Sequence, residues 1–198
     1  DGFLYNKLTK QIYFYYDGQI TGTITAITNA DPAQVTSASH GLQSGAKIIL
    51  RGINGVFLLS SSLNNKSYIV DVINLNNFDL YYLFGGKAIT FASQTNPCVI
   101  TSINHGLITG KKVMINGVNG MVNLNNISYT VTFIDADNFS LNGVNATGFP
   151  AYISGGSWCP AVDTTAYSAY ISDGDWSILF ADQRYLTFTI FTDPRYLT

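Results

Sequence analysis

Apolar and polar positions alternate along this chain in short bursts, each only a few residues long. Ser67–Ile73 and Ser128–Ile134 alternate around Tyr68 and Tyr129, and Leu186–Phe191 reads LTFTIF. A period of two puts alternate side chains on opposite faces of a strand. Lys47–Arg51 and Lys112–Asn116 are short Ile- and Val-containing runs, and Gln34–Ser37 and Val99–Ser102 read as further short strands. Turn signals separate them. Gly52–Gly55 and Gly117–Gly120 each carry Asn-Gly, which favours a positive φ, and Asn77 and Asn138 open strands after tight Asn/Asp turns. Lys10–Tyr16 and Gln19–Ile27 flank Asp17-Gly18, the signature of a hairpin with a two-residue turn; Ile171–Trp176 holds a second hairpin-like turn. No apolar run approaches the roughly 18 residues of a membrane-spanning helix. The pattern predicts an all-β chain.

The middle of the chain is duplicated. Pro32–Phe57 and Pro97–Val122 align without a gap at an offset of 65, with 11 of 26 positions identical. After a four-residue deletion, Leu63–Leu80 and Leu124–Leu141 align at an offset of 61, with 10 of 18 identical. Both copies then run on to a Gly-Gly pair, Gly85-Gly86 and Gly155-Gly156. Strands this short, with turns every few residues, predict a small barrel or sandwich per copy. About 60 residues is marginal for an isolated domain, and two tandem copies packed together ease that. The expected organisation is an N-terminal hairpin or arm over 1–23, β repeats over 24–94 and 95–158, and a C-terminal β segment over 159–198.

Composition narrows the function classes. The 198 residues carry 10 basic and 12 acidic side chains; all the acids are Asp, and 11% of residues are charged. Helix bundles need Glu, Lys, Ala and Leu on their exposed faces, so this usage argues against them. With a net charge of -2, bulk attraction to nucleic acid or to an anionic membrane is absent. The apolar fraction of 46% argues against disorder. The 18 Asn all precede Gly148, largely in the turns of the repeat. The first residues, Asp1-Gly2-Phe3, read as those of a processed product or of a piece of something longer.

Candidate chemistry is sparse. His40 and His105 are repeat-equivalent, each followed by Gly-Leu, and read as turn-fixing residues. Cys98 and Cys159 have neither metal nor redox spacing and read as buried thiols. Asp135 and Asp137 faintly resemble part of a calcium loop, but the Gly and Glu such a loop requires are missing, so a strand-connecting turn is expected. Tyr13, Phe14, Tyr15, Tyr16, Tyr81, Tyr82 and Phe84 would suit a sugar-stacking face or, more simply, a thin β core. The sequence assigns no catalytic, cofactor-binding or metal residue, and no cofactor.

The repeat carries a resemblance. The pattern Pro-x-x-Val/Ile-Thr-Ser, His-Gly-Leu, Gly-Val-Asn-Gly-Met, Leu-Asn, Tyr-Thr-Val, Asn-Phe-Ser-Leu and Gly-Gly-Ser-Trp runs through roughly Ile24–Trp158 and is clearest in the second copy. It is similar to a module common in tailed-bacteriophage structural proteins, which is often connected with the first catalytic-cysteine half-domain of ubiquitin-activating enzymes. Cys98 stands where the first copy has Ala33, and the chain has no nucleotide loop, so ubiquitin activation is not carried over. The resemblance implies a non-enzymatic structural component of a virion: a tail, connector or surface-decorating protein. Its expected partners are other virion proteins and further copies of itself in a symmetric ring or lattice, paired through the strand-rich ends Lys10–Tyr16 and Tyr185–Thr192. The alternative is a receptor- or carbohydrate-binding module of the same particle.

Overall fold

The computed structural model describes residues 2–6, 11–15, 20–59, 61–179 and 188–191. Apart from one 3-10 turn at Val122–Leu124, its regular elements among the described residues are strands, so the chain is all-β. β1 (Gly2–Asn6) and β2 (Gln11–Tyr15) come first. β3 (Thr21–Thr23) and β4 (Ala26–Ile27) are halves of one bent strand. β5 (Gln34–Thr36), β6 (Lys47–Arg51) and β7 (Asn54–Gly55) follow. A small hairpin of β8 (Phe57–Leu58) and β9 (Ser61–Ser62) leads to β10 (Ser67–Asn74) and β11 (Asn77–Tyr82). The second copy holds β12 (Phe91–Ala92), β13 (Val99–Thr101), β14 (Lys112–Asn119), β15 (Ile127–Phe133), β16 (Asn138–Leu141) and β17 (Ser154–Pro160). β18 (Tyr170–Ser172), β19 (Asp175–Ile178) and β20 (Phe188–Phe191) close the order.

Each copy forms an antiparallel barrel. In the second the order is β12-β13-β16-β15-β14-β17, and a bridge from Ala88 to Ser157 joins β17 to the chain just before β12. In the first the order is β4-β5-β11-β10-β6-β19, and β3 pairs with β19 to close the ring. The strand that completes the first barrel therefore comes after the whole second barrel. The chain leaves the first barrel at Tyr82 and rejoins it at Ala161, which bridges to Tyr81, and Val162 N–H then donates to Leu80 O. The second barrel is an insertion in a turn of the first.

This changes the alignment of the two copies. The counterpart of Gly155-Gly156 is Asp173-Gly174, not Gly85-Gly86. Ala151–Trp158 and Ala169–Trp176 read AYISGGSW and AYISDGDW, identical at six of eight positions. Gly156 and Gly174 both have positive φ, 90° and 107°. Gly86 does something else: a Cβ there would fall on the backbone carbonyl of Trp158. Strand pairing for the first barrel thus runs from Thr21 to Tyr82 and again up to Ile178, reaching past both ends of the 24–94 stretch.

Period-two patterning fills the barrels. On β10 and β11, Tyr68, Val70, Phe78 and Leu80 point into the first core. Phe78 stands edge-on to both His40 and Trp176, at ring-centroid distances of 5.2 and 6.3 Å. The second core repeats this with Phe139 between His105 and Trp158, at 5.1 and 6.3 Å. Edge-to-face stacks of this kind add to the burial term.

β1 and β2 form an N-terminal hairpin, but the strands flanking Asp17-Gly18 do not pair with each other among the described residues. β2 pairs with β1 on one side and β20 on the other, making a separate three-stranded sheet, while Thr21–Thr23 is taken up by β19. Closing the barrel requires β3, so it is unavailable to β2. The Asp17-Gly18 turn lies outside the described residues.

Candidate functional site

The two barrels meet along the outer face of β10 and β11, and this joint holds the chain's polar cluster. Ile69 and Tyr81 alternate with the core-facing residues, so they point out of the first barrel. They are nonetheless buried, against Met114 and Cys159 of the second. Asp71 and Asp79 lie on the same outer face as directly opposed strand partners. Side chains so opposed have Cβ atoms about 4.5–5.5 Å apart. Asp71 Oδ1 accepts from Ser44 Oγ at 2.8 Å, and Oδ2 accepts from Ser128 Oγ of the second barrel at 2.5 Å. Asp79 Oδ1 accepts from Gln34 Nε2 at 3.1 Å. Asp79 is 7% exposed, and its pKa is raised above the usual carboxylate value, chiefly by burial. Gln34 and Lys112 oppose that rise, while Asp71 adds to it.

At the mouth of the joint is a groove of about 380 Å3, lined by Asp31 and Asp163 from the first barrel and by His105, Ile108, Lys111 and Lys112 from the second. Lys111 Nζ bridges the barrels, 2.7 Å from Asp31 Oδ2 and 3.3 Å from Asp163 Oδ2. The bond to Asp31 is the main cause of its raised pKa. Asp163 is held below the usual carboxylate range, first by hydrogen bonds from Thr165 and then by Lys111.

The residues singled out in the sequence take other places. His40 Nδ1 accepts from Leu42 N–H at 3.0 Å, and Nε2 reaches Asn74 O at 2.9 Å. His105 repeats this with Leu107 at 2.9 Å and Asp135 O at 2.8 Å. Both ring nitrogens are thereby committed to backbone groups. Each histidine therefore pins its turn to the strand connection opposite. His105 borders the groove through that turn, while His40 lies away from it.

Asp135 Oδ1 accepts the backbone N–H groups of Asp137 and Asn138, which with the Asn138 side chain hold its carboxyl low. Asp137 Oδ1 accepts from Asn104 N–H. In the first barrel the uncharged Asn74 and Asn76 make the same kind of contacts, so the turn needs oxygens and not charge. Among the described residues no cluster of three metal-ligating side chains occurs.

Tyr81, Tyr82 and Phe84 do not make one aromatic face, and the first two serve the core instead. Tyr81 is buried in the joint, Tyr82 packs on the first core, and Phe84 is exposed. The side chains of Tyr13–Tyr16 lie outside the described residues. Both cysteines are free and buried, with burial pushing their thiols up, the reverse of what a nucleophile needs.

Neither the joint nor the return strand follows from strand periodicity and turn signals. One signal for the return strand was present: the second Ala-Tyr-Ile-Ser-x-Gly-x-Trp. For Asp71 and Asp79 the signal was a carboxylate on each of two strands whose other positions are nearly all apolar.

No curated protein matches the chain. Residues 95–159 match the ubiquitin-activating enzyme E1 FCCH domain. The second barrel, from β13 through most of β17, is therefore similar to that module.

Proposed function

We propose that the chain is a non-enzymatic structural component of a bacteriophage particle and that it assembles with neighbouring subunits through its β-rich ends. The observation that carries this reading is the terminal sheet. β1 and β20 each pair on one side only among the described residues, so each presents a strand edge that a neighbouring chain can extend. A contact between β1 of one copy and β20 of the next would be head-to-tail, and such contacts close a ring or extend a lattice. The resemblance of the repeat to a module of tailed-bacteriophage structural proteins supports the same reading. Cys98 and Cys159, the thiols within the matched stretch, are buried and have no part in it.

The test is quantitative mass spectrometry of purified particles, with light scattering of the isolated chain. The reading expects a fixed copy number per particle and concentration-dependent oligomers. A chain that stays monomeric at high concentration and is absent from particles overturns it. Glycan-array binding lost in a Tyr→Ala variant would favour the carbohydrate-binding alternative.

A further inference from the structure

We propose that Asp71 and Asp79 form one proton-binding site inside the joint, and that proton uptake there tightens the contact between the two barrels. The inference does not rest on the assembly reading.

Two carboxylates face each other on neighbouring strands, at a surface that the second barrel covers. Asp71 is anchored to both bodies, through Ser44 of the first barrel and Ser128 of the second. Three donors therefore serve the pair: Ser44, Ser128 and Gln34. Two ionised carboxylates at this spacing repel, and burial denies them the water that would screen the repulsion.

A third group marks the site as polar and incompletely satisfied. Among the described residues the Tyr81 hydroxyl is buried without a hydrogen-bond partner. Burial raises it most; a nearby Ser128 offsets part of that rise, and the charges of Asp71, Asp79 and Asp31 add to it. The Ser128 contact falls short of hydrogen-bond geometry, and Ser128 already gives its proton to Asp71. Of the other charged groups at this face, Lys112 of β14 favours ionised Asp79, Asp31 acts on Tyr81, and Lys47 of β6, the strand partner of Ile69, acts on Cys159.

A proton taken from solvent onto Asp79 removes one charge and creates an O–H donor beside the Asp71 carboxylate. Asp71 keeps a free lone pair on each oxygen for it. The sign follows from the direction of the shift. Folded Asp79 holds its proton to a higher pH than the unfolded chain, so the folded joint binds more protons between the ordinary carboxylate value and the raised one. The joint therefore strengthens as pH falls through that window and loses this contribution above it.

Cys159 is a reporter within the same contact, 3% exposed and packed on Ile69, Tyr81 and Met114. In a Cys98→Ala background, justified by Ala33 at the equivalent place, Cys159 is the only thiol. Its maleimide labelling is measured from acid to neutral pH with Asp79 native and with Asp79→Asn. Asn keeps the oxygen that Gln34 binds. Comparing the two chains at the same pH cancels the thiolate fraction.

The proposal expects the native chain to label several-fold faster than Asp79→Asn at neutral pH and the ratio to fall to one in acid. A ratio independent of pH overturns it. Far-UV circular dichroism must stay constant, which separates joint opening from barrel unfolding. Should Asp79→Asn fail to fold, carboxyl-carbon NMR of the native chain decides. Titration of Asp79 above the ordinary carboxylate range supports the site. An ordinary titration of Asp79 removes it.

Discussion

The indole N–H of Trp176 donates to Ser37 Oγ at 2.9 Å across 139 residues of sequence. Trp158 makes the same bond to Ser102, again at 2.9 Å, across only 56. The geometry is one and the same; the connectivity differs, because the whole second barrel lies between Ser37 and Trp176. The second barrel is a contiguous unit, whereas the first is split.

Fragments should behave accordingly. A chain of residues 83–160 contains every strand of the second barrel and should fold alone with cooperative thermal unfolding. A chain of residues 1–82 lacks β19 and should not. Excising 83–160 and joining Tyr82 to Ala161 should restore a folded first barrel, since Tyr81 and Ala161 are already bridge partners. Circular dichroism and amide NMR dispersion check all three. A folded 1–82 fragment would falsify the split.

The paired Trp–Ser bonds allow a symmetric comparison. Trp176→Phe or Trp158→Phe removes a buried donor, leaves a serine hydroxyl unpaired and opens space. Each should cost about 2–4 kcal/mol. Ser37→Ala and Ser102→Ala strand the indole N–H instead and should cost about 1–3 kcal/mol. Chemical denaturation of the single variants measures both. Neither pair should affect the other barrel's bond, so effects across barrels should add.

Much of this was legible in the sequence, and the exceptions have a common cause. Duplication, strand periodicity and the turn role of His40 and His105 follow from local pattern. Nesting shows only in the second Ala-Tyr-Ile-Ser-x-Gly-x-Trp, at Ala169–Trp176; which barrel that strand closes is decided by its pairing with β3 and β6, far away in sequence. β2 likewise takes β1 and β20 as partners, while β3 goes to β19, so pairing of these strands is decided by distant segments. Asp71 and Asp79 sit on an outer face that reads as solvent-exposed until a second barrel covers it. Local chemistry names strands and turns, whereas which surfaces become interior is a property of the assembled pair.

The groove ion pairs should matter little to stability. Lys111 and Asp163 side chains are 42% and 43% exposed, and such pairs contribute about 0–1 kcal/mol. Lys111→Met should therefore shift the midpoint only slightly, and added salt should shift it similarly. The depressed Asp163 carboxyl stabilises the fold above the ordinary carboxylate value, and this is lost as pH falls through its lower folded value. Thr165 is the larger cause, so Thr165→Val should weaken that acid-side pH dependence more than Lys111→Met does. Thermal melts across acid pH check the order.

Gly45 and Gly110 occupy the same turn in the two barrels, with φ of 84° and 92°. Alanine at either place meets left-handed backbone strain of about 1–2 kcal/mol. The surroundings differ. Nothing lies near a Cβ at Gly110, whereas one at Gly45 falls on the Asn126 side chain, 2.9 Å from its Cβ. Gly45→Ala should therefore cost more than Gly110→Ala, and the excess measures how firmly the barrels are held together. Asn126 itself has a φ of 61°, so Asn126→Gly suits its backbone while clearing the contact. The double variant Gly45→Ala, Asn126→Gly should recover the excess and leave the backbone strain. Equal costs for the two alanines would mean that the joint yields freely at this end.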